Sequence, residues 1–198
     1  MAANGYGRDV PLAPSHIPGA MPDPVQARAM DLSDIHDLRR WHREAAVRAR
    51  DAGFDIIYVY AGHQLSTISH FLSPYRNRRS DAYGGSLENR ARRLREGLED
   101  TRDAVGNTCA IALRFSVDEL KGPDGITSDG EGRDLVEMLA ELPDLWDVNI
   151  SGWENDSATS RFKASGYQED YIRWVKSVTS KPVVGVGRYT SPDAMVSL

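Results

Sequence analysis

The sequence predicts an α/β protein built on parallel strands, and three observations point to it. Helix-like and strand-like segments alternate; the strand-like runs open near residues 55, 109, 145 and 182; and the last two steps are roughly 36–37 residues, enough for one helix and two loops. Connections of this kind are right-handed and keep the strands parallel. Two architectures use them, a doubly wound open sheet and a (β/α)8 barrel. Four strands are visible where a closed barrel needs eight. Spacing therefore leaves both a small open sheet and about half of a barrel open.

The elements follow in order. Residues 1–30 are rich in Pro, Gly and Ala without a sustained period and read as a loop or extended lead-in; residues 31–198 form the domain. In "MDLSDIHDLRRWHREAAVRARDAGFDIIYVY", Ser33 is the expected N-cap, with Asp34 and Asp37 near the positive helix end. Ile35, Leu38, Trp41, Ala45, Ala49 and Ala52 recur at helical steps, and Gly53 supplies the left-handed stop. "DIIYVY" then reads as a strand buried on both faces. Ser86 caps a second helix with the stripe Leu87, Ala91, Leu94, Leu98 and Val105, ended by Gly106-Asn107 before the strand "CAIALRF". Its basic run, Arg90 to Arg95, reads as a solvated face. "GRDLVEMLAELP" reads as a shorter helix before the strand "WDVNIS", and "YQEDYIRWVKSVTS", residues 167–180, as another before the strand "PVVGVG". Ser191-Pro192 has the form of a cap followed by proline at the first helical position.

Composition bounds the function. The 198 residues are 40% hydrophobic and 27% charged with net charge -5, enough apolar material for one core and no basic surplus for nucleic acid. No stretch approaches the roughly 18 apolar residues of a membrane span. The start has no apolar signal core, so a cytoplasmic protein is expected. Cys109 is the one cysteine, unable alone to make an internal disulfide or hold an iron–sulfur centre.

Parallel architectures place functional groups at the C-terminal strand ends. Those ends carry Tyr60 and His63, then Arg114, then Asn149 with Trp153 and Asp156, then Gly187 and Arg188. If Arg114 points inward so do Ala110 and Ala112, leaving space for something flat above the core while Ile111, Leu113 and Phe115 face the helices. Arg114 pairing a neighbouring acid such as Asp118 is the competing reading. Gly185, Gly187 and Arg188 suit a phosphate, or a glycine-assisted turn with a surface arginine. Tyr60 and His63 are able to reach one ligand, or each to satisfy the backbone. Trp153 is a ligand-facing ring or a core residue, and Asp156 an orienting group or a loop cap. Lys121 and Lys181 are poorly placed for a Schiff base, which argues against an aldolase-type barrel.

"SDAYGGSLENRARR" resembles the D-x-Y-G-G-S-x-x-N-R segment of the old yellow enzyme family, FMN-dependent (β/α)8-barrel oxidoreductases. "ARDAGFDIIYVYAGHQLSTISHFLSPYRNRRSDAYGGSLENRARR", "AIALRFSVD", "WENDSATSRF" and "KPVVGVGRYTSPDAM" are similar to the branch containing trimethylamine and dimethylamine dehydrogenases. The resemblance runs over nearly the whole chain with the motifs in order. It implies an incomplete parallel (β/α) barrel, about strands four to seven of eight. It implies Tyr60, His63 and Asp156 as a substrate-side triad and Trp153 as a wall holding an alkylammonium by cation–π contact. Arg114 would lie beside the flavin pyrimidine, and Gly187 and Arg188 would hold the FMN phosphate. The Tyr-Gly-Gly stretch would be architectural, delivering the chain into the capped helix. The cofactor expected is FMN, with no iron–sulfur cluster in this chain. The substrate expected is a small amine, with an enone as the ene-reductase alternative and a non-catalytic FMN half-site as another. A fragment or split enzyme would depend on a homo-oligomer or a complementing chain, because an open half-barrel exposes apolar strands and edges.

Overall fold

A short parallel pair opens the fold: β1 (Leu12–Ala13) lies beside β2 (Arg28–Ala29). The computed structural model describes residues 10–18, 25–152, 155 and 160–196. Next comes α1 (Leu32–Asp51), capped by Asp31 and not by Ser33. The Asp31 carboxylate accepts the Asp34 N–H at 2.9 Å and the Asp34 carboxylate accepts the Asp31 N–H at 2.9 Å. This reciprocal box satisfies two orphan donors. Ser33, already inside the first turn, donates its hydroxyl to Asp31 at 2.7 Å.

Then follow β3 (Ile56–Ala61), α2 (Thr67–Leu72), α3 (Leu87–Val105), β4 (Ala110–Asp118), α4 (Glu131–Leu139) and β5 (Leu145–Ile150). The described elements end with α5 (Glu169–Ile172), β6 (Val183–Gly185) and α6 (Pro192–Val196). The sheet order is β3-β4-β5-β6, every neighbour parallel, as the alternation predicts. The strands open within a residue or so of the positions read from the sequence. Ser86 caps α3, and Gly106 ends it at φ +58°, a left-handed backbone that glycine adopts without strain. The expected helix over 167–180 is a single α-turn in α5 followed by a 3-10 stretch from Arg173 to Ser177, where the run into Val178 and Thr179 has low helix propensity. The short α2 lacks the length to show a period.

The core lies between the sheet and its helices. Ile111, Leu113, Phe115, Trp146 and Val148 pack with Leu94, Leu98, Leu135 and Leu139. The alternation predicted for β4 therefore holds. β3 differs from expectation: Val59 is buried against the helices, but Ile56 and Tyr58 on the other face are 45% and 49% exposed. That face is the concave side of the sheet, which in a closed barrel is filled by side chains from all eight strands.

Two helix faces also depart from the reading. α1 meets α3 through polar pairs and not through Trp41, which is exposed: Arg39 binds Asp100 at 2.8 Å and His42 shares a 2.7 Å hydrogen bond with Thr101. The basic run in α3 is not a solvated face, since Arg90 and Arg93 are buried. Arg90 donates to the carbonyls of Leu72 and Gly85 and pairs with Glu131, joining the end of α2, the glycine turn and the start of α4. Asn77 donates to Phe71 O and Tyr83 O, both at 2.7 Å, and Asn89 donates to Gly84 O at 3.2 Å. The Tyr-Gly-Gly segment is thus tied down by backbone contacts, in keeping with the architectural part expected of it.

Candidate active site at the strand ends

Parallel register decides which side chains can meet. Tyr60, Arg114 and Asp147 are paired across β3, β4 and β5, and Asp147 is paired with Val184 of β6. One row along, Ser116 is paired with Asn149. Neighbouring strands lie about 4.8 Å apart, so each row brings its side chains together on one face.

The first strand end carries a hydrogen-bonded pair: the Tyr60 hydroxyl and His63 Nδ1 are joined, and the rings lie 6.0 Å apart. The backbone holds the histidine there. His63 and Gln64 both adopt left-handed φ, at 56° and 54°. The His63 N–H donates to Ser116 Oγ at 2.9 Å, and His63 bridges Gly152. Among the described residues, five non-glycine residues have positive φ, and each lies just beyond the C-terminal end of a sheet strand: His63, Gln64, Leu120, Ser151 and Arg188. Such backbone is costly for ordinary side chains and clusters where geometry serves function.

Arg114 is paired, but with Asp147 and not Asp118. Its Nη1 donates to both Asp147 oxygens, at 2.7 and 2.9 Å. Asp118 accepts from the Leu120 and Ser128 N–H groups instead, ordering the loop after β4. About 22% of the Arg114 side chain stays exposed on the concave face, while Asp147 is buried behind it. Gly62 makes room for it: a Cβ at Gly62 would stand 3.2 Å from Arg114 Cγ. Asp147 stands early in its strand, away from the C-terminal end that marks functional groups, and only the register from Arg114 points to it. The same inward count from Arg114 reaches Ser116, whose hydroxyl lies 3.0 Å from Asn149 Oδ1 and 3.2 Å from Ser151 O. Gln168, fully buried, accepts the Ile150 N–H at 3.0 Å and braces the end of β5. No local sequence signal marks it.

At the far edge of the sheet, Gly187 O accepts the Gly166 N–H at 2.7 Å. Arg188 is exposed, has φ +59° and donates to Lys163 O at 2.7 Å. Ser191 caps α6 by accepting the Ala194 N–H at 3.2 Å, as its sequence suggests. Trp153 and Asp156 lie outside the described residues. The structure thus gathers Tyr60, His63 and Arg114 on adjoining strands and puts Gly187 and Arg188 beyond the opposite edge strand.

Burial sets the electrostatics behind the rim. His70 donates through Nε2 to Gln64 O at 2.8 Å, and its pKa is pushed down to about 4 by burial and then by Arg76. A neutral ring next to a carbonyl means that Nε2–H donates. Burial pushes the Glu119 carboxyl up, against its hydrogen bonds from Ile126 N and Ser73 Oγ, both 3.0 Å. Among the described residues no group of three or more His, Cys, Asp or Glu is placed to hold a metal ion, and no helix is long and apolar enough to cross a membrane. Cys109 is buried at the start of β4, away from the rim.

The model of the NADH:flavin oxidoreductase / NADH oxidase family matches residues 5–198. The chain belongs to that family. Dimethylamine dehydrogenase from Hyphomicrobium sp. (strain x) is 42% identical over 171 residues, covering 85% of this chain and 23% of the relative. The solved 6-hydroxypseudooxynicotine amine oxidase from Pseudomonas geniculata N1 superposes with a TM-score of 0.93 at 54% identity, over 99% of this chain and 30% of that one. Histamine dehydrogenase from Rhizobium sp. 4-9 gives 0.89 at 52% identity, over 96% and 28%. This member of the NADH:flavin oxidoreductase family therefore spans less than a third of these amine-acting relatives. Its four parallel strands are an incomplete (β/α) barrel, which resolves the choice that spacing left open.

Proposed function

We propose that residues 31–198 are the barrel portion of an FMN-dependent oxidoreductase acting on a small amine, with residues 1–30 as its lead-in. One observation carries the reading: the Tyr60–His63 pair stands beside Arg114, its cross-strand neighbour, at the rim where barrel enzymes hold their substrates. A donor set of this kind fits FMN. Arg114 leaves part of its side chain exposed on the strand face it shares with the small residues Ala110 and Ala112, a floor suited to a flat ring, and Asp147 anchors its Nη1. Arg188, exposed beside Gly187, would take the phosphate with charge-assisted hydrogen bonds. When bound, FMN supplies acceptance of a hydride equivalent from the carbon next to nitrogen.

The chain's own groups do the rest. Tyr60 and His63 hold the amine in place, and their shared hydrogen bond gives a path for its proton. Asp156 would complete that triad and Trp153 would wall the cation. An amine is favoured over an enone because the more similar relatives are named for amines. We place no iron–sulfur cluster on this chain, whose one cysteine cannot supply four thiolates, and we assign the protein to the cytoplasm. The exposed concave face suits a further barrel-completing segment, a complementing chain or a second copy.

The test is to add FMN to the purified chain, separate it by gel filtration and record the spectrum. Flavin co-eluting with shifted bands is expected, and Arg188→Ala should weaken it roughly tenfold, about 1.4 kcal/mol. Flavin eluting free of the wild-type chain would show that these residues do not make a binding unit without the remaining strands. In a flavin-loaded preparation, Tyr60→Phe should lower dimethylamine turnover by about 10²-fold; unchanged turnover would remove the pair from the chemistry.

A further inference from the structure

Directly behind the His63–Gln64 turn lies a buried cavity of about 10 Å³, lined by Ala61, Gln64, Ser69, Ser116, Glu119 and Ile126 among others. That is the lower limit of room for one water, on the order of 10–15 Å³. Four of its eight lining residues, Gln64, Ser69, Ser116 and Glu119, are polar and the other four are apolar. Gln64 is 7% exposed, and its Nε2 has no partner among the described residues, although its Oε1 faces Arg76 at 3.5 Å. A buried amide left without an acceptor costs about 1–3 kcal/mol. Glu119, 5% exposed, lies on the same cavity and is fixed by Ser73 and Ile126. The Ser116 hydroxyl, also on the lining, accepts the His63 N–H.

We propose that this cavity holds one buried water between Gln64 Nε2 and the Glu119 carboxyl, and that Glu119, through it, is a positioning residue for the His63–Gln64 turn. Gln64 donates to the water, and the water donates to Glu119. The Ser116 hydroxyl, whose own proton is taken by Asn149 or Ser151, has a lone pair left to accept the water's second proton, which brings the site to three hydrogen bonds, within the two-to-four range that buried waters show. Two successive left-handed residues without glycine need such anchoring, because nothing in their own conformation favours the turn. The consequence is for the direction of the His63 ring. Its bearing on catalysis rests on the Tyr60–His63 reading above, but the water and the turn do not.

The experiment uses the isotope-labelled chain and needs neither flavin nor turnover. A water cross-peak to the Gln64 side-chain amide is read in a nuclear Overhauser spectrum, with the ¹⁵N shift of His63 Nδ1 as the report on its bond to Tyr60. The Trp146 indole, which donates to Ala140 O at 3.0 Å, marks the folded state. The wild type should show the cross-peak. Glu119→Gln should keep both signals, since an amide still pairs with water. Glu119→Leu should lose the cross-peak and move the Nδ1 shift towards that of a ring without the tyrosine bond. Ser69→Ala, a milder change to the same cavity, should weaken the cross-peak in a chain that folds normally. A folded wild type without the cross-peak overturns the water site. An Nδ1 shift indifferent to Glu119→Leu overturns the positioning role. Unchanged turnover in Tyr60→Phe would count against the catalytic reading and leave the water standing.

Discussion

His70 shows how one buried residue couples the rim to pH. Its folded pKa of about 4 lies below the ordinary 6.5, through burial and then Arg76. Below pH 6.5 the unfolded chain takes up a proton that the folded chain refuses. Stability from this group is therefore complete above 6.5 and lost as pH falls to about 4, on the order of 3 kcal/mol. Glu119 acts with the opposite sign, since its raised pKa favours the folded state at low pH and the benefit fades as pH rises above 4.5. Urea unfolding at pH 7 and pH 4 should show the loss in the wild type and a flatter dependence in His70→Gln. An equal pH dependence in the two proteins would mean that other groups control acid stability. Gly132 is a second residue-scale case: a Cβ there would lie 2.1 Å from Val117 O. Gly132→Ala should cost about 1–3 kcal/mol by forcing α4 away from β4, measurable in the same titration.

At the level of elements, α3 is held by side chains that reach main-chain carbonyls. Arg90 binds α2, the glycine turn and Glu131 of α4 at once, from a site only 4% exposed. Arg90→Met keeps the stem's packing but leaves Glu131 and two carbonyls short of a donor. It should cost about 1–3 kcal/mol, as for buried acceptors left unsatisfied, because Glu131 itself is partly exposed. Arg93, one turn along, is different. It is buried, its Nε and Nη1 have no hydrogen-bond partner among the described residues, and burial pushes its pKa down. Arg93→Met should cost less than 1 kcal/mol or even stabilise, since a poorly satisfied buried charge is replaced by an apolar chain of similar length. Thermal unfolding of the two variants compared side by side separates the cases; similar losses would show that Arg93 also holds the helix.

For the whole molecule, the concave face is the feature that bears on association. Ile56, Tyr58 and Val184 are each 44–49% exposed on it, and β3 and β6 present unpaired edges among the described residues. Apolar faces and free strand edges promote association. Tyr58→Lys with Val184→Lys should lower the apparent mass in concentration-dependent gel filtration. An unchanged, monomeric profile for both proteins would show that the face is tolerated as it stands.

Much of this was legible in the chain. Strand starts, the Ser86 and Ser191 caps, the inward alternation of β4 and the rim positions of Tyr60, His63, Arg114 and Arg188 all follow from local rules: period, cap chemistry and the polarity of parallel strands. Those rules depend on neighbours within one or two turns, which a sequence displays. The pairing of Arg114 with Asp147, the burial of Arg90 and Arg93, the polar seam between α1 and α3, and the cavity beside Gln64 and Glu119 do not. Each joins groups 18 to 61 positions apart. Their energies depend on register and on exclusion of water, and the folding of the chain supplies both by setting distant strands and helices side by side.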